Sequence, residues 1–121
     1  MPEVAQVLVI DDDRQVRRLF AHILRDGGIP VVVADTGKKA LQLLSAYAFK
    51  VVVLDMNMPS PDGFEVLKAI RSDVRRPRVL AVSGFMKGEL LGAAGFLGAD
   101  TTLNKIDAPE LLLETVKKLM A

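Results

Sequence analysis

The chain has no cysteine, no tryptophan, one tyrosine and one histidine. Without cysteine there is no disulfide framework and no thiolate metal site, which suits a reducing cytoplasm. Aromatic residues make up 5% of the chain, so its arginines are hardly interleaved with rings, and direct nucleic-acid binding is not expected. No sign of charge dominates: 16 basic side chains stand against 15 acidic ones, which argues for no polyanionic partner. No apolar run approaches the length of a membrane span. Met1-Pro2-Glu3 does not begin a basic-then-apolar leader, so no signal peptide is expected. There is no repeat, low-complexity tract or linker. The length, 121 residues, suffices for one core and not for two, so one domain over 1–121 is expected.

What is present is a regular alternation. Apolar runs of strand length at 5–10, 30–34, 50–54, 78–82 and 101–104 are rich in Val, Leu and Ile and mostly lack polar alternation. Such strands are covered on both faces, as in a parallel sheet. Between them lie helix-length amphipathic stretches at 14–26, 37–48, 63–72, 86–97 and 108–120. The first carries Val16, Leu19, Phe20, Ile23 and Leu24 as its apolar stripe, the second Ala40, Leu43, Leu44 and Tyr47. Asp13, Thr36, Asp62 and Asp107 are the expected N-caps, and Pro109 falls in the first turn of the last helix. The order is a strand and a helix repeated five times, a three-layer α/β sandwich with helices on both faces of the sheet.

In such folds ligands bind beyond the carboxyl ends of the strands. Here the run Val51-Val52-Val53-Leu54 ends in Asp55, and Val7-Leu8-Val9-Ile10 ends in Asp11-Asp12-Asp13. Carboxylates converging there repel one another unless a cation joins them. Magnesium suits the set, since it takes hard oxygen ligands, uses one or two carboxylates and bridges to phosphate. Acids are also favoured at a helix N-terminus, and that simpler role fits Asp13. Asp55 is the candidate nucleophile: a carboxylate attacking phosphorus gives an acyl phosphate. Lys105 and Ser83 end two further strands, where an ammonium and a hydroxyl suit phosphoryl oxygens.

With these residues in place, the chain resembles a receiver domain of the bacterial response-regulator family over essentially its whole length. The block Leu54-Asp55-Met56-Asn57-Met58-Pro59-Ser60-Pro61-Asp62-Gly63 is similar to the family's phosphorylation loop. Asp11-Asp12 matches its acidic pair, Ser83 its hydroxyl position, and Gly98-Ala99-Asp100 the run leading to its lysine, here Lys105. The resemblance implies a flavodoxin-like five-stranded parallel sheet in order 2-1-3-4-5 with five helices. It implies that Asp55 accepts a phosphoryl group from a histidine kinase, a phosphotransfer protein or a small phosphodonor. Asp11, Asp12, Asp55 and the backbone carbonyl of Asn57 would hold Mg²⁺, Asp11 directly or through water, and Ser83 and Lys105 would bind the phosphoryl oxygens. It further implies a homodimer or partner surface across 86–97, 101–104 and 108–120. Such a chain is a self-phosphorylating signalling domain rather than an enzyme in the usual sense. It either stands alone or is one domain of a longer protein.

Two positions depart from the family pattern, and two more bear on lifetime. Ile106 follows Lys105 where the family usually has Pro after a cis bond; before Ile a cis bond costs about 2.5–4 kcal/mol, so a trans bond is expected. Thr102 stands where the family carries the Tyr or Phe ring that turns inward on activation. Asn57 and Phe85 fall where phosphoryl lifetime is tuned. The stretch 86–97 combines Met86, Leu90, Leu91, Phe96 and Leu97 with Gly88, Gly92 and Gly95. It reads either as a loose helix with a wide buried stripe or as an apolar partner surface. His22, among the arginines of the first helix, is expected to be exposed near a docking surface for the phosphodonor.

Other classes fit less well. An aspartate-nucleophile phosphohydrolase needs an acid two residues after the nucleophile, and Asn57 cannot do that work. A flavin binder needs backbone donors where these acids crowd. Thr102 and Ile106 keep open a non-switching pseudo-receiver that acts as a protein-binding module.

Overall fold

The structure is a computed structural model and describes residues 6–84 and 98–121. These contain β1 (Val7–Ile10), α1 (Arg14–Asp26), β2 (Val31–Ala34), α2 (Gly37–Ala46), β3 (Val51–Asp55), α3 (Gly63–Ser72), β4 (Arg78–Ser83), β5 (Thr101–Asn104) and α4 (Ala108–Met120). The helix expected over 86–97, and Phe85 before it, lie outside the described residues; α4 is the helix expected over 108–120. All strand pairs are parallel, in the order β2-β1-β3-β4-β5. This is the flavodoxin-like 2-1-3-4-5 sheet that the resemblance implies.

Successive strand residues point to opposite faces, and both faces are covered. Val7 and Val9 of β1, Val51 and Val53 of β3, and Leu80 and Val82 of β4 join one core with Phe20 and Leu24 of α1 and Leu112 and Val116 of α4. Leu8, Ile10, Val52, Leu54, Val79 and Ala81 join the opposite core with Ala40 and Leu44 of α2 and Leu67 and Ile70 of α3. The unbroken apolar runs in the sequence record this double burial. The N-terminal and C-terminal helices thus share one core. They also touch closely: a Cβ added at Gly27, after α1, would lie 2.5 Å from Leu113 Cδ1.

Three of the four expected caps form. Asp13 accepts from the N–H groups of Gln15 and Val16, and Thr36 accepts from Lys39. Asp62 and Glu65 make a reciprocal capping box at the start of α3. Asp107 does not cap: its backbone is already helical (φ −89°, ψ −16°), so its side chain makes no cap hydrogen bond. Two expected core positions are exposed instead. Leu19 is 43% exposed because α1 buries the narrower stripe Phe20, Ala21 and Leu24. Tyr47 is 49% exposed because α2 stops at Ala46 and Tyr47 turns to extended backbone.

Candidate functional site

The sheet register brings the strand ends together. Ile10 pairs with Leu54, so Asp11 and Asp55 leave the sheet side by side. Ser83 pairs with Asn104, and the Lys105 N–H donates to the Ser83 carbonyl at 3.2 Å. Asp11, Asp55 and Ser83 are the buried polar residues among the described ones, each 2% exposed or less. Asp12 and Asn57 are exposed, and Lys105 is partly buried.

Each carboxylate is held by backbone. Asp11 Oδ1 accepts the Asp13 N–H at 2.9 Å, while Arg17 Nη1 donates to the Asp11 carbonyl at 2.9 Å. Asp55 Oδ1 accepts the Asn57 N–H at 2.9 Å. The Lys105 ammonium bridges the two acids, 3.1 Å from Asp11 Oδ2 and 3.5 Å from Asp55 Oδ2. The longer contact is an ion pair without a hydrogen bond, and Asp55 Oδ2 stays buried and unsatisfied. Ser83 Oγ donates to the side-chain oxygen of Asn57.

Charge in this pocket is unbalanced. Burial pushes the Asp55 carboxyl up to about 6, against the pull of the Asn57 N–H and Lys105 and with help from Asp11 and Asp12. Burial by itself would lower the Lys105 amine, but Asp55 and Asp11 outweigh it and the amine is held above its ordinary value. Carboxylate oxygens of Asp11, Asp12 and Asp55 lie within 4.8 Å of one another. Among the described residues, three acids against one ammonium, with one buried oxygen unsatisfied, form a hard-oxygen donor set suited to a small divalent cation such as magnesium.

The comparisons with known proteins agree with this geometry. A family model described as the response regulator receiver domain matches residues 7–117. The chain belongs to the response-regulator receiver family. The receiver is 32% identical over 117 residues to the chemotaxis protein CheY of Pseudomonas aeruginosa, covering 94% of each chain. It is also 32% identical to the transcriptional activator protein ExaE of Pseudomonas putida, of which it spans 55% of the length, with 95% of the receiver aligned. Its fold superposes on the Francisella response regulator 1452 receiver domain with a TM-score of 0.89, at 30% identity and 97% coverage of both chains. Receivers of this kind are signalling domains of two-component systems, whose response regulators partner with histidine kinases. No described helix of this one is long and apolar enough to cross a membrane.

The structure brings Asp11, Asp12, Asp55 and Lys105 together, with Ser83 bound to the Asn57 side chain beside them. Two contributions were not read from the sequence. The Asn57 side chain takes the Ser83 hydroxyl, and Arg17 braces the loop that carries Asp11. The spacing Asp11 to Arg17 on a capped helix was the available signal for the second. The cis bond among the described residues is Ser60–Pro61; Lys105–Ile106 is trans, as expected, and Ile106 is 85% exposed. Thr102 is half-buried in β5. His22 is exposed beside Arg17, Arg18 and Arg25, around a cleft of about 250 Å³.

The loop after β3 returns tightly to the site. A Cβ at Gly63 would lie 2.5 Å from Met56 Cα and 2.8 Å from the Asp55 carbonyl oxygen. Gly63→Ala is therefore expected to cost roughly 1–3 kcal/mol by overpacking. Urea unfolding checks this, and an unchanged midpoint would contradict so close an approach.

Proposed function

We propose that the receiver is a phosphoacceptor, with Asp55 taking a phosphoryl group from a histidine kinase or a phosphotransfer protein in the cytoplasm. The observation that carries this reading is the buried Asp55 Oδ2, left without a hydrogen bond 3.5 Å from Lys105. That oxygen keeps a lone pair for attack on phosphorus. As the new oxygen–phosphorus bond forms, the phosphorus–nitrogen bond of the donor phosphohistidine breaks, and the leaving imidazole keeps the electron pair and takes up a proton. Lys105 then neutralises an oxygen of the transferred group, and Ser83 exchanges the Asn57 oxygen for another.

Asp11, Asp12 and Asp55, with the backbone carbonyl of Asn57, would hold a magnesium ion. Bound there, it would supply positive charge to offset the carboxylates and the phosphoryl group. The test is mass spectrometry after incubation with acetyl phosphate. One added phosphoryl group is expected, on the peptide containing Asp55, and lost when EDTA removes magnesium. Modification that survives EDTA, or that maps elsewhere, sinks the reading.

The cationic cleft of α1 suits docking of the donor. Glutamates in place of Arg18 and His22 are expected to slow transfer from the protein donor by about tenfold, the equivalent of 1.4 kcal/mol. The rate with acetyl phosphate should stay unchanged. Time courses with both donors decide this, and equal slowing would count against the docking role. Thr102 favours a second reading, a receiver that binds partners without switching, since no ring stands there to turn inward. Under it, beryllofluoride with magnesium would leave the amide NMR spectrum unchanged beyond the site.

A further inference from the structure

The segment from the end of α3 to the start of β4 carries Arg71, Arg75, Arg76 and Arg78, and phosphotransfer uses none of them. Arg75 is committed to the Asp73 carboxylate and the Leu44 carbonyl. The other three converge on a cavity of about 350 Å³, closed on the far side by the turn at Gly98 and Asp100. Ile70 and Pro77 supply apolar wall.

Charge in this cavity is also unbalanced, in the opposite sense. Among the described residues, Asp100 is the one acid on the lining. It uses Oδ2 to accept the Val79 N–H at 2.7 Å, and its Oδ1 lies 3.8 Å from Arg78 Nη1. Arg76 directs Nε and Nη2 to the Arg71 carbonyl, each at 3.2 Å. Among the described residues, the Arg71 guanidinium has no hydrogen-bond or ion-pair partner. Its stem crosses Gly98, where an added Cβ would lie 2.6 Å from Arg71 Cδ. Arg76 holds a φ of 40°, a left-handed backbone that residues other than glycine seldom adopt.

We propose that this cavity binds the phosphate of an organic phosphate of nucleotide size. Guanidinium forks match phosphate oxygens in pairs: the Arg71 fork is uncommitted among the described residues, and Arg76 and Arg78, whose groups are partly engaged, add positive charge against one partly committed acid. The volume exceeds that of a bare oxyanion, and the apolar wall with the flat face of Arg71 offers a surface for a ring. The site is separate from the acidic pocket: Arg78 begins β4 and Ser83 ends it, about 17 Å away along the strand.

The test is an amide NMR titration of the full chain with ADP and, separately, with inorganic phosphate, in EDTA so that the acidic pocket carries no metal. ADP is expected to give saturable shifts at Val79, Gly98 and Asp100, with inorganic phosphate moving the same amides about tenfold more weakly. Arg71→Gln should weaken ADP binding by about tenfold. Arg76→Gly should weaken it too while preserving the fold, because glycine adopts this φ freely. Lys118→Gln, on the exposed side of α4, should leave it unchanged. Shifts that do not saturate, that persist in Arg71→Gln, or that fall equally in Lys118→Gln would overturn the proposal. So would inorganic phosphate binding as tightly as ADP, or a short DNA duplex moving the same amides at lower concentration than ADP.

Discussion

Asp55→Asn is expected to abolish phosphorylation and, in the same protein, to stabilise the fold at neutral pH. The first effect follows from the nucleophile: an amide oxygen does not attack phosphorus as a carboxylate does. The second follows from burial. The Asp55 carboxyl has an ordinary value of 3.8 and is pushed up to about 6 in the folded protein. A group with a raised folded value binds more protons in the folded state between those two limits. Its contribution to stability is therefore fully present below 3.8 and is lost as pH rises through about 6. At pH above about 7 the ionised Asp55 costs the fold on the order of 1–3 kcal/mol. Asparagine removes that cost, and Lys105 is not orphaned, because Asp11 Oδ2 remains 3.1 Å away. Urea unfolding in EDTA should show the variant more stable than wild type near neutrality, with the gap shrinking on acidification from about pH 6 and gone below 3.8. A gap that is absent, or independent of pH, would refute the burial argument.

Lys105→Met removes the protein's own cation from the pocket. Asp11 and Asp55, both buried, then face each other and Asp12 without compensation. Leaving buried charge unpaired costs about 3 kcal/mol or more, so the metal-free variant should be distinctly less stable at neutral pH and recover as its carboxyls protonate. Phosphorylation by acetyl phosphate is expected to slow by roughly a hundredfold, the scale on which removing one preorganised charge at a transition state acts. Magnesium binding should move the other way and tighten, because a competing positive charge has gone. Calorimetry with magnesium separates these effects. A variant that loses both magnesium affinity and phosphorylation has a collapsed pocket, and the assigned role of Lys105 then fails.

Much of this was legible in the sequence because the strands are short, apolar and end in polar residues. Val51 to Asp55 announced both a doubly buried strand and the acid at its tip, and Asp13, Thr36 and Asp62 announced their helices. The failures have local causes. Asp107 has the composition of a cap, but capping depends on backbone angles that composition does not encode. Leu19 and Tyr47 fit a helical period, yet the width of a buried stripe and the last residue of a helix are set by packing from elsewhere. The Asn57 side chain reaches Ser83, 26 residues later, through a contact that no local pattern carries. The convergence of Arg71, Arg76 and Arg78 with Gly98 and Asp100 likewise becomes visible only after folding.

The shared core of α1 and α4 has a consequence for synthesis on the ribosome. Phe20, Ala21 and Leu24 emerge early, while Ala108, Leu112 and Val116, which cover the same sheet face, emerge among the last residues of this domain. Asp11 and Asp55 likewise wait for Lys105. The nascent domain therefore keeps one face of its sheet only half-covered, by α1 alone, until nearly all of it has left the exit tunnel, and the acidic pocket is completed in the same final step. A half-made copy neither accepts a signal nor hides its greasy surface, and early in translation that exposed face is where chaperones would act.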